Sequence, residues 1–127
     1  MRKPSSRPLL LVALGAALTS TGCAPPIPDG GFDAPDPASR IYAAVRVAAE
    51  FERTGVRPDR ATLENLVVML ASADPATRFI ASETLREIAG TDLGYHPSAP
   101  LPERTLAADR WRAWVEALPA SSEDRRS

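Results

Sequence analysis

An octapeptide recurs in this chain. Asp36-Pro37-Ala38-Ser39-Arg40-Ile41-Tyr42-Ala43 returns 38 residues later as Asp74-Pro75-Ala76-Thr77-Arg78-Phe79-Ile80-Ala81, with five positions identical and a Ser/Thr exchange at a sixth. Self-similarity at a fixed period of about 20–50 residues marks stacked units, none of which can bury its apolar face alone. Each copy opens with an aspartate suited to accept from the N–H groups of a first helical turn. Proline follows at the first helical position, where its missing N–H costs nothing. The repeat therefore constrains the chain to helices packed side by side, and units of this kind build surfaces rather than reaction centres.

Periodicity predicts four helices. The first runs from Asp36 to a glycine stop at Gly55, with Ile41, Ala44, Val45 and Ala48 on its apolar face and Val47 and Phe51 widening it. Asp59 is the next N-cap, and Leu63, Leu66, Val67 and Leu70, with Met69 beside them, form the cleanest stripe in the chain. That helix is expected to end near Ala73, leaving a joint so short that the third helix, opened by Asp74-Pro75, must pack antiparallel to it. Ala81, Thr84, Leu85 and Ile88 are its buried stripe, Ile80 its margin and Gly90 its stop. Residues 91–102 carry three prolines and read as an extended loop. A fourth helix starts around Glu103, with Trp111, Trp114, Val115 and Leu118 on one face. No run alternates with period two, so the fold class is all-α, a short antiparallel stack with an aromatic-rich C-terminal capping helix.

The Asp-Pro-Ala-x-Arg openings, the short joint and the 38-residue period resemble HEAT-like repeats, in which each repeat is a helix pair and this motif opens the second helix. The resemblance covers residues 36–90. It implies that Asp36, Arg40, Asp74 and Arg78 hold the positions of the hydrogen-bonded ladder between repeats. Ala43 and Ala81 fall where a small residue lets helices approach. Gly94-Tyr95-x-Pro97 followed by Arg110-Trp111-x-x-Trp114 resembles a tail appended to small exported HEAT-like proteins, and no activity comes with that likeness. Only a half repeat, one whole repeat and the tryptophan helix fit between residues 36 and 118, whereas arrays generally need about three repeats. The tryptophan helix is thus expected to serve as a cap, or the first helix's open side to meet a partner or a second copy.

The first 22 residues read as a targeting segment. Arg2, Lys3 and Arg7 precede an apolar run from Leu9 to Leu18, too short for a bilayer core of about 30 Å. Thr21-Gly22-Cys23 then resembles the lipobox of bacterial lipoproteins, with Ser20 before it as in looser versions of that motif. The resemblance implies a cleaved signal peptide over residues 1–22. Cys23 would then be acylated as the mature N-terminus and anchored in the cell envelope, facing the periplasm or the outside. Ala24 is compatible with outer-membrane sorting. Residues 23–35, rich in proline and glycine, read as a semi-extended tether, and residues 119–127 as a tail.

Removal of Arg2, Lys3 and Arg7 leaves twelve basic residues against sixteen acidic ones, a net charge of −4. That argues against nucleic acid as a partner. A single cysteine precludes an internal disulfide. His96 is the only histidine, and one histidine without thiols does not make a metal site, so no metal or other cofactor is implied. Asp92 and Glu103 flank the 91–102 loop, but paired carboxylates are ordinary in so acidic a chain, and no phosphate loop or nucleophile motif is present. No small-molecule substrate and no enzymatic activity are expected. Arg46, Arg53, Arg57 and Arg60 gather near the first turn, as a solvated face or as a contact for anionic headgroups. Tyr95, Trp111 and Trp114 are candidates for an interaction surface or for the cap, and their spacing with Val115 and Leu118 favours the cap. These features lead to the expectation of a lipid-anchored envelope protein with a protein–protein interaction module. The alternatives are a lyase-type or chaperone-like accessory protein acting on a partner, which would use Asp92, Tyr95 and His96, and a passive envelope spacer.

Overall fold

The computed structural model describes residues 29–120. The targeting segment and Cys23 lie outside them. Four helices, α1 (Pro37–Thr54), α2 (Arg60–Met69), α3 (Pro75–Ala89) and α4 (Leu101–Ala117), follow a short 3-10 turn at Gly31–Asp33. There is no strand among the described residues. α1 lies against α3, while α2 packs on both α3 and α4. The two helices opened by the repeated octapeptide are therefore neighbours, and α2 links them to the tryptophan helix. This is a short all-α stack.

The boundaries follow from local chemistry. Asp36, Asp59 and Asp74 each cap a helix, accepting from the N–H of Ser39, Thr62 and Thr77 at 2.8, 2.8 and 2.7 Å. Gly55 and Gly90 end α1 and α3 in the left-handed conformation, with φ of 66° and 73°. Leu63, Leu66, Val67, Met69 and Leu70 are all buried, as the stripe predicts. On α1 the buried side is Ala44, with Val47 packed against the core, whereas Val45 is 45% exposed. α3 and the 3-10 turn cover only part of α1, so its apolar residues are not all enclosed.

Three elements differ from expectation. α2 ends at Met69 rather than near Ala73, because Leu70, Ala71 and Ser72 donate to the carbonyls three residues back, tightening the chain into a 3-10 tail. α4 starts at Leu101 rather than Glu103, since Pro102 falls in its first turn, where the missing N–H has no intrahelical partner to lose. Residues 91–100 are not extended. They fold as consecutive turns, with Tyr95 N–H donating to Asp92 O at 2.9 Å and Ala99 N–H to His96 O at 3.1 Å.

Residues 29–35, read above as the end of the tether, lie on α1. Ser39 Oγ donates to Asp29 O at 3.0 Å, Phe32 packs against the core cluster and Ala34 is buried. The reason is Phe32, which offers apolar area to a helix with a free side. The folded part thus begins about seven residues before the octapeptide.

Candidate functional site

The two ends of the stack differ. At the C-terminal end the 91–100 loop is clasped by side chains from α3 and α4 and by its own tyrosine. Tyr95, only 3% exposed, donates its hydroxyl to Leu70 O at 2.7 Å, closing the carbonyl that α2's tail leaves open. Burial pushes the Tyr95 phenol above its ordinary value of 10.0. Trp111 is fully buried and donates Nε1–H to Asp92 O at 3.1 Å. Trp114, half-buried, meets Trp111 edge-to-face at 5.4 Å. Arg78 donates to the carbonyls of Ser72, Ala73 and Pro97, joining the α2–α3 joint to the loop. Arg104 and Arg110 hold Ala99 O and Leu93 O at 2.9 and 2.7 Å. Leu93 has a φ of 48°, uncommon for a leucine, and this network holds it there.

The closed end therefore consumes most of the residues singled out around it. Tyr95, Trp111 and Trp114 belong to the same hydrophobic core as Val115 and Leu118. The Asp92 carboxylate accepts from Gly94 N–H at 2.7 Å. His96 and Glu103 are exposed, and among the described residues no three His, Cys, Asp or Glu side chains converge as metal ligands.

The positions of the proposed ladder are occupied by caps. Asp74 accepts from the N–H and, at 2.6 Å, the hydroxyl of buried Thr77, while Asp36 accepts from the N–H of buried Ser39. Those bonds hold both carboxyls below the ordinary value of 3.8. Arg78 reaches three carbonyls, whereas the buried Nε of Arg40 has no hydrogen-bond partner among the described residues. The difference lies in what precedes each helix: α3 follows the open carbonyls of α2's tail, and α1 follows the 3-10 turn.

The arginine cluster divides. Arg60 donates to Val115 O and Leu118 O at 3.1 and 3.0 Å, and Arg57 donates to Pro119 O at 3.1 Å, so two of the four hold carbonyls at and just beyond the C-terminus of α4. Arg53 pairs with Glu50 on α1 at 2.5 Å, both well exposed. Arg46 is exposed on the same helix.

What remains is the N-terminal end. A broad open depression of about 870 Å³ runs along α1 between the 3-10 turn and the α1–α2 turn, with Phe32, Ala43, Val47 and Phe51 on its apolar floor. Arg46, Arg53 and Glu50 stand beside them. Ala81 is fully buried, but its repeat equivalent Ala43 is only half-buried and borders the depression. The sequence marks this end as unfinished, but it does not reveal that Phe32 helps to build it. A lone aromatic within a proline- and glycine-rich stretch was the available signal. No helix among the described residues is long and apolar enough to cross a membrane. No protein-family model, curated protein or solved structure matches the chain.

Proposed function

We propose that this chain is a lipid-anchored cell-envelope protein whose HEAT-like helix stack is a protein-interaction module, with the open side of α1 as its contact surface. The observation that carries the reading is the asymmetry of the repeat. Ala81 is buried completely, while Ala43, at the same place in the first copy, faces an open depression with an apolar floor. A repeat unit left without its neighbour keeps a face shaped for packing. The anchoring half is supported by the basic start, the short apolar run and the Thr21-Gly22-Cys23 motif.

Cell fractionation tests the first half: Cys23→Ser should release the protein from the membrane fraction, and unchanged retention would count against the anchor. A photo-cross-linking side chain at position 43 or 46 tests the second half. It should capture a discrete partner in intact cells, whereas the same group at exposed Val68 should not. Equal labelling at both places would remove the contact surface. The accessory-protein alternative draws no support from the 91–100 loop, where Tyr95 and Asp92 are already bonded within the fold.

A further inference from the structure

One end of this stack is closed by its own chain, through Tyr95 and Trp111, and the other is not. On the open side, Ala43, Arg46, Val47 and Glu50 border the depression at spacings of i, i+3, i+4 and i+7. That is the pattern of one helix face, on a helix that already buries Ala44 in the core. We infer that this face is covered by a second copy of the same chain, α1 against α1 about a two-fold axis. The inference rests on the interaction reading above and names its partner.

Charge and topology choose the occupant. The face carries both signs, exposed Arg46 and exposed Glu50, so a surface of a single sign would satisfy one and oppose the other. An antiparallel α1–α1 contact centred on residue 48 sets Arg46 of each copy opposite Glu50 of the other. The two-fold thus makes two pairs from one register. The existing Arg53–Glu50 pair is well exposed and costs little to exchange. Small Ala43 and half-buried Val47 allow the helices to approach. A contact about a two-fold axis is isologous, so it stops at a dimer instead of growing into a filament. The chain also enters each copy beside the first turn of α1, where Ser39 Oγ meets Asp29 O. A two-fold along the membrane normal therefore keeps both N-terminal segments at one height.

Sedimentation of residues 23–127 carrying Cys23→Ser tests this without a membrane. The chain should form a concentration-dependent dimer. Arg46→Glu and Glu50→Arg, both at exposed sites, should each weaken self-association by about tenfold or more. Helix content by circular dichroism should stay unchanged. An equimolar mixture of the two variants should recover the dimer, because each then faces the opposite charge. A monomer at every concentration overturns the inference, and so does a dimer indifferent to both substitutions. A monomer that floats with phosphatidylglycerol vesicles through this face overturns it in favour of the bilayer. A monomer that still cross-links from position 46 to a different envelope protein overturns it while the broader interaction reading stands.

Discussion

Asp36 and Asp74 do the same work at two places 38 residues apart, and they make the fold sensitive to acid. The Ser39 N–H for Asp36, and the Thr77 hydroxyl and N–H for Asp74, hold both carboxyls below 3.8. The folded chain thus binds these protons more weakly than the unfolded chain does. The contribution of the caps is complete above the ordinary carboxylate value and is lost as pH falls through the lowered one. Melting temperature followed from about pH 7 to about pH 2 should therefore drop at the acid end. Asp36→Asn with Asp74→Asn keeps an accepting oxygen at each cap and should flatten that drop. At the other end of the molecule Trp111, not Trp114, carries the packing. Trp111→Ala should cost about 3–5 kcal/mol in chemical denaturation, and Trp114→Ala distinctly less, since only Trp111 is fully enclosed. Their shared spacing made the two equivalent in the sequence. Which one lies at the centre of the face depends on where α2 and the loop cover α4.

At the scale of elements, whatever is local can be read from the residues and whatever is relayed cannot. The Asp-Pro openings, the glycine stops and the stripe of α2 are visible because each is complete within a few residues. The tail of α2 is not, because its Leu70 carbonyl is satisfied by Tyr95, 25 residues on. Arg60 shows the same limit. Its spacing suggested a basic face, but the carbonyls it holds belong to α4, 55 and 58 residues away. Arg60→Lys keeps the charge but loses the fork that spans two carbonyls, and should cost about 1–2 kcal/mol. Hydrogen exchange should then show the last turn of α4 opening first. In the loop, Gly94 has a φ of 75°, and a Cβ there would lie 2.8 Å from an Arg110 guanidinium nitrogen. Gly94→Ala should therefore destabilise by about 1 kcal/mol or more. Protection at Leu93 and Tyr95 should fall, while α1 is left untouched.

The described residues form a short helix stack in which α4 and the 91–100 loop lie on one side and α1, with its 3-10 turn, on the other. The repeated octapeptide directed attention to the open side of α1. Its floor was not legible, because Phe32 stands in a stretch whose composition argues for no structure at all. The docking of residues 29–35 also changes the mechanics of the proposed anchor. Only Ala24 to Pro28 lie between Cys23 and the first residue held on α1. Six chain steps at full extension span about 20 Å, less than the roughly 30 Å breadth of a domain this size. A lipid on Cys23 would then moor the domain too closely to sweep the space above the bilayer. It would ride on the headgroups, searching in two dimensions, and would meet only neighbours held at its own level.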